Sequence, residues 1–127
     1  MNEPQIKVGI MAEERIDFKF DGQYKNTSNN TIFEGELFAE IDSDNVIVIF
    51  QNDDVVASGT EIVFAPINAD KASFMLKNVT IGIDFHWEQK ENQQFPANLK
   101  LIVDKDKIHA INEVPLERYL TSVISSE

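Results

Sequence analysis

The stretch that decides the fold class is Gln5-Ile-Lys-Val-Gly-Ile-Met11 followed by Arg15-Ile-Asp-Phe-Lys-Phe20. In both segments apolar and polar side chains alternate, which is typical of a strand with one buried face. The three residues between them are enough only for a hairpin connection, so the chain is predicted to begin with two neighbouring strands. The predicted inward positions are Ile6, Val8, Ile10, Ile16, Phe18 and Phe20.

Alternation of this kind recurs along most of the remaining sequence. Further strands are predicted over residues 31–42, 46–50, 61–65, 72–76 and 79–87, and on both arms of a hairpin with its tip at 104–107. Residues 46–50 are all apolar, which predicts a central strand covered on both faces. Asp21-Gly22 is expected to form a tight turn, whereas 25–30 and 88–94 are expected to be polar connections. The sum is about nine or ten short strands, which predicts a mainly β fold, an antiparallel sandwich or barrel-like sheet.

Composition bounds the class of protein. At 127 residues with a net charge of −11 and no cysteine, the chain has the size of one acidic domain without disulfides or thiolate metal sites. Because phosphate backbones are recognised through Lys and Arg, nucleic acid is not an expected partner. No apolar run approaches the roughly 18 residues of a membrane span. The first residues lack the pattern of a signal peptide, which fits a cytoplasmic protein or an exported one after cleavage, so the localisation stays open.

The last segment, 115–127, is the one convincing helix in the sequence. Pro115 suits the first helical position, and a stripe of apolar residues follows it at helical spacing. Glu127 continues that stripe as a carboxylate. The members of the stripe are Leu116, Leu120, Val123 and Ile124. An apolar helix face at this place also predicts a possible dimer contact through residues 115–127.

The same segment resembles the opening of the SpoIID/LytB family, the stage II sporulation protein D and amidase-enhancer domains of bacterial cell-wall turnover. Phe95 and the apolar run 99–103 look like the strand that precedes this motif in the family. The matching residues are Ile111-Asn112, Val114-Pro115-Leu116-Glu117, Tyr119-Leu120, Val123-Ile124 and Ser126-Glu127.

The resemblance implies a function in peptidoglycan metabolism. It divides the chain into a β-rich accessory region, 1–94, and the opening hairpin and helix of a SpoIID-like domain, 95–127. It also implies that Glu127 is the general acid of a lytic transglycosylase, a role that requires a carboxyl group protonated near neutral pH. The family's catalytic segment would follow residue 127, so the 127-residue chain alone is expected to be inactive. The implied partners are peptidoglycan glycan or another cell-wall hydrolase, which the accessory region would help to bind or to activate.

The competing hypothesis is a non-catalytic β-sheet module for binding or protein interaction. Three further sets of residues are candidate sites of other kinds. Asp84, His86 and Glu88 share one strand face as possible metal ligands, but alternate strand positions converge poorly on one ion. Trp87 shares its strand face with Phe85 and Ile83, which favours core packing over an aromatic platform for a sugar ring. The acidic row Glu34, Glu36 and Glu40 is better explained as a solvated face than as a calcium site. No metal or other cofactor is predicted.

Overall fold

The computed structural model describes residues 5–68, 70–84 and 87–115, and within them ten antiparallel strands form one sheet. The mainly β class and the number of strands are therefore confirmed. The strands are β1 (Gln5–Glu13), β2 (Arg15–Asn26), β3 (Ile32–Ile41), β4 (Ile47–Gln51), β5 (Asp54–Gly59), β6 (Glu61–Pro66), β7 (Ser73–Asp84), β8 (Trp87–Pro96), β9 (Asn98–Asp104) and β10 (Lys107–Pro115).

The long strand β2 is the place where the sheet forks. The pairing order is β1-β10-β9-β6-β2-β3-β4-β5, and β7 also pairs with β2 and carries β8. Strand β7 lies along the first half of β2, from Phe18 to Asp21, whereas β6 lies along the end of β2, from Tyr24 to Asn26. One arm of the sheet therefore contains β6, β9, β10 and β1. The other arm contains β3, β4, β5, β7 and β8.

The core lies between the two arms. Strand β10 contacts β2 and β3 without pairing with either, so the arms face each other. Alternate residues of each strand point into this space, as their period of two requires. The fully buried large side chains come from both arms: Tyr24, Phe18, Phe20, Phe64, Phe74, Ile16, Ile47, Ile49, Leu76, Leu99, Leu101 and Ile108.

Phe64 on β6 is the centre of an aromatic cluster in this core. Its ring centroid lies 6.0 Å from that of Phe18, 5.1 Å from that of Phe20 and 5.7 Å from that of Phe33. Phe20 in turn stacks on Tyr24 at 4.4 Å. Since these rings belong to β2, β3 and β6, the cluster joins the two arms at the fork. Offset and edge-to-face aromatic pairs are the favoured arrangements, and they add to the burial of apolar area.

The tight turn predicted at Asp21-Gly22 is wrong, because the chain forms a β-bulge there and β2 continues. The register with β3 shifts between Phe20 and Tyr24, and Gly22 has a φ of +98°. The expectation of a positive φ at Gly22 is correct, since both a turn and a bulge use a residue that tolerates positive φ. At this bulge β2 changes its neighbour from β7 to β6. Gly22 therefore shapes the fork of the sheet.

Replacing Gly22 by alanine is expected to destabilise the fold more than the same change at Gly35. Both glycines have positive φ, but a Cβ at Gly22 would lie 3.0 Å from the Cβ of Ala72, whereas a Cβ at Gly35 meets nothing within 4 Å. We expect Gly22→Ala to lower the free energy of unfolding by about 2–4 kcal/mol and Gly35→Ala by about 1–2 kcal/mol. Urea unfolding of both variants measures this. Equal losses would mean that the contact with Ala72 carries no cost.

Three further predictions about strands need correction. The first two segments of the chain are not a hairpin, because β1 pairs with β10, whereas β2 pairs with β3, β6 and β7. The apolar segment 46–50 is an internal strand, since β4 pairs with both β3 and β5, but it is not covered on both faces. Ile47 and Ile49 are buried, while Val48 and Phe50 are only half-buried on the other face. Residues 88–94 are not a loop but part of β8, which pairs with β7 along its length. Backbone hydrogen bonding to β7 outweighs the low strand propensity of this polar sequence.

The C-terminal half of the described chain agrees with the predicted hairpin. Lys105 and Asp106 form its tip with φ values of 54° and 64°. Strands β9 and β10 pair with β6 and β1, so residues on both sides of position 95 belong to one sheet. The division into two units at 95 stays a prediction. Pro115 is the last residue of β10, and the helix predicted beyond it falls on residues 116–127, outside the described residues.

Candidate functional site

A row of side chains crosses the outer face of one arm, the face opposite the core. The register pairs Asp17 with Phe38, Phe38 with Phe50, and Phe50 with Val55. Because Phe18 pairs with Leu76, the next residue of β7, Lys77, lies beside Asp17. The row therefore runs from a charged end on β7 and β2 to an apolar end on β4 and β5.

Two shallow grooves follow this row and share Asp17 and Lys77. The first, here called the aromatic groove, has a volume of about 300 Å³ and is lined by Asp17, Glu36, Phe38, Phe50, Asp53 and Lys77 among others. The second, of about 440 Å³, continues past Arg15 towards Glu13, Glu14 and Lys107. An open surface of this kind suits an extended ligand better than a small enclosed one.

Arg15 closes one side of the aromatic pair. Its guanidinium carbon lies 4.0 Å from the centroid of the Phe38 ring, which in turn stacks on Phe50 at 5.0 Å and 17°. Two carboxylates hold the guanidinium there: Asp17 accepts a hydrogen bond at 3.0 Å and Glu40 lies 3.5 Å away. This is a cation–π arrangement with its counter-ions in place. It shows that the row accommodates a planar cation on a phenylalanine face.

Lys77 occupies the other side of the aromatic groove. Its ammonium group donates a hydrogen bond to the carboxylate of Glu36, and this hydrogen bond, with the positive charge of Lys77, lowers the pKa of Glu36. Because the pKa of Glu36 is lower in the folded chain, the ion pair stabilises the fold at pH values above the ordinary pKa of a glutamate. This stabilisation is lost as the pH falls through the lowered pKa. Glu36 is exposed, so the contribution to stability is small.

The turn between β4 and β5 supplies the remaining polar groups. Asn52 and Asp53 both have positive φ, 53° and 70°, as the two central residues of a tight hairpin turn do. The side-chain amide of Gln51 donates a hydrogen bond to the carbonyl of Glu34 at 2.7 Å, which leaves its oxygen as an acceptor. Apart from the ammonium group already held by Glu36, the aromatic groove thus presents mainly hydrogen-bond acceptors.

The beginning of the C-terminal motif is anchored in the middle of the arm that contains β6, β9, β10 and β1. The side-chain amide of buried Asn112 donates hydrogen bonds to the carbonyls of Pro96 at 2.8 Å and Asn98 at 3.1 Å. The hydroxyl of Tyr24 donates to the carbonyl of Ala97, between them, at 2.8 Å. Buried Glu113 faces the ammonium groups of two lysines on the neighbouring strands, Lys7 and Lys100, each at 3.8 Å. Strand β10 is therefore fixed up to its last described residues.

The residues singled out from the sequence have different fates. Glu127 and His86 lie outside the described residues, as do the side chains of Asp84, Trp87 and Glu88, so their proposed roles stay predictions. Within the described ranges, no three His, Asp or Glu residues are grouped to hold a metal ion. Of the acidic row on β3, Glu36 and Glu40 form ion pairs with Lys77 and Arg15. No helix among the described residues is long and apolar enough to cross a membrane.

The aromatic groove itself was not predicted, although the sequence contained a signal for it. Phe38 was an apolar exception on the polar face of its strand, and Phe50 ended an all-apolar run. Each was unexplained alone. Their direct pairing across β3 and β4 brings the two exceptions together on the outer face. Cross-strand register, which a single sequence does not specify, was the missing information.

No protein-family model, curated protein or solved structure matches this chain.

Proposed function

We propose that this chain is the β-rich N-terminal portion of a SpoIID/LytB-like bacterial cell-wall protein. The observation that carries the proposal is the stretch 111–127, whose residues follow the family motif to Glu127. In the whole protein, the domain beginning near Phe95 would act on peptidoglycan as a lytic transglycosylase or would enhance an amidase. Glu127 would donate a proton to the departing glycosidic oxygen.

The geometry around β10 supports a positioning role for the β region. The described part of the motif, 111–115, lies in a strand paired with neighbours on both sides, and its Asn112 joins this strand to the connection between β8 and β9. A segment that leaves such a strand starts from a fixed point and direction. The β region would then be the rigid support on which the glycan-acting domain is built.

The test of this proposal uses the reading frame extended beyond Glu127. The extended protein is expected to release anhydro-sugar products from purified peptidoglycan, and Glu127→Gln is expected to abolish the release, because an amide N–H is too weak an acid to protonate the leaving group. Glu34→Gln is the matched control, since this glutamate is exposed on β3, a strand of the opposite arm. Normal turnover by the Glu127→Gln protein would exclude the catalytic assignment.

A second candidate function is non-catalytic recognition by the sheet, and the aromatic groove favours it. In this case the 127-residue chain should itself co-sediment with peptidoglycan or retain a cell-wall hydrolase, and it should release no sugar. Failure of the extended protein to cleave, together with binding by the short chain, would favour this function over the first. Whether residues 115–127 mediate a dimer is tested by the molar mass of the chain in solution.

A further inference from the structure

The surroundings of Phe50 resemble those of Phe38, whose ring carries the guanidinium of Arg15. Among the described residues, however, no cation lies over Phe50. In the existing pair, a guanidinium lies on a phenylalanine face and two carboxylates flank it. Phe50 is the next ring in the same row, and Asp53 and Glu36 line the same groove beside it. Lys77, the basic residue that lines this groove, is already bound to Glu36.

The apolar end of the row provides a surface for an aliphatic chain. Val55, the cross-strand partner of Phe50, is 61% exposed, the highest value among the three exposed large hydrophobic residues of the described ranges. Long basic side chains commonly lay their methylene groups on such apolar surface while the charged end reaches a polar group. One place on the surface thus offers three contacts to a long basic side chain. Val55 faces its methylene groups, Phe50 its planar cationic group and Asp53 its charge.

The negative charge of the groove and of the whole chain favours a positively charged ligand. Asp17 and Glu36 are paired with Arg15 and Lys77, so Asp53 supplies the remaining charge of its lining, and the whole chain has a net charge of −11. An anionic ligand would be repelled, and a cation gains both from the nearby carboxylates and from the long-range field. Since the remaining polar groups are mostly acceptors, a donor-rich guanidinium fits them better than a single ammonium group does.

We propose that the aromatic groove docks an arginine-bearing segment of a basic partner protein, with one guanidinium over Phe50, its charge facing Asp53 and its methylene groups on Val55. The proposal rests on described residues and does not depend on the function proposed from 111–127. The partner lies across the outer face of the sheet and does not extend its edge. Strand β5 is short, and its register with β4 shifts at Phe50, and both features discourage addition of a further strand.

The test is a titration of the isotope-labelled 127-residue chain with an uncharged-terminus peptide, acetyl-Gly-Arg-Gly-Arg-Gly-amide, followed by amide chemical shifts. We expect saturable changes centred on Phe50, Asp53 and Val55, with an affinity that falls as salt is added. Phe50→Leu is expected to weaken binding roughly three- to fivefold, since it removes the ring face but keeps an apolar residue. Phe50→Tyr keeps the ring face and is expected to bind as the wild type does. The same peptide with lysine in place of arginine should bind more weakly.

Matched charge variants separate this site from general attraction to an acidic protein. Asp53→Asn removes the carboxylate, and asparagine tolerates the positive φ of that position. Asp70→Asn removes the same charge at an exposed turn outside the groove. Binding should weaken in the first variant and not in the second. Equal weakening, shift changes spread over the whole surface, or saturable binding of a neutral chitin oligosaccharide at Phe50 with no peptide binding would overturn the proposal.

Discussion

Phe64→Ala is expected to lower the free energy of unfolding by about 3–5 kcal/mol, among the largest effects available to a single substitution in this chain. The ring is fully buried, and it contacts aromatic rings from β2 and β3. Truncation removes apolar burial and leaves a cavity between the two arms, which the paired strands on either side prevent from closing. Since a domain of this size is typically stable by about 5–15 kcal/mol, the loss would be at least about a fifth of the stability and, in a marginally stable domain, nearly all of it.

The measurement is urea unfolding of the wild type and three variants. Phe64→Leu should cost less than half as much as Phe64→Ala, because most of the apolar volume is retained. Ile32→Ala, at a residue that is 54% exposed, should change the stability by no more than about 0.5 kcal/mol. If Phe64→Ala costs as little as Ile32→Ala, the facing of the two arms described here is incorrect.

Asn112→Asp is expected to destabilise the protein by about 3–5 kcal/mol at pH 7. The side-chain amide of Asn112 donates to the carbonyls of Pro96 and Asn98, and a carboxylate at the same place has no proton for either. The change therefore places a buried negative charge against two carbonyl oxygens. Asn112→Ala should cost less, about 1–3 kcal/mol, because it leaves the carbonyls unpaired without adding charge.

The cost of Asn112→Asp is also expected to depend on pH. Burial and the facing carbonyls raise the pKa of the introduced carboxyl above its value in the unfolded chain. The folded variant then binds a proton that the unfolded chain has lost, so the variant's stability relative to wild type falls as pH rises above the ordinary aspartate range. Urea unfolding of wild type, Asn112→Asp and Asn112→Ala between pH 4 and pH 7 measures this. A difference from wild type that does not change with pH would contradict it.

The two proposals involve opposite arms of the fork. Asn112 and Glu113 fix β10, from which the motif segment continues, whereas the aromatic groove lies on β2, β3, β4 and β7. A basic partner could therefore occupy the groove while the segment after β10 carries out a separate function. This separation is what allows the two tests to fail independently.

Much of the strand content followed from side-chain alternation, and the failures have specific causes. Gly22 indicated positive φ, but whether such a residue makes a turn or a bulge depends on the neighbouring strands, β6 and β7, that come later in the chain. The polar sequence of β8 gave no strand signal, because its pairing with β7 supplies the backbone hydrogen bonds that define it. The apolar composition of residues 46–50 predicts a strand covered on both faces. In the structure, the outer face of β4 is instead part of the aromatic groove, together with Phe38.

The sequence by itself determined the mainly β class, the approximate number of strands, the hairpin at 104–107 and the motif ending at Glu127, because these depend on local periodicity and on the order of residues. The tertiary structure alone decided where the sheet forks, which arms face each other and which residues meet on the outer face. Strand pairing joins residues that are distant in sequence, and a shift by one residue would turn each side chain to the opposite face. The pairing of Phe38 with Phe50 and the two hydrogen bonds of Asn112 are consequences of that register.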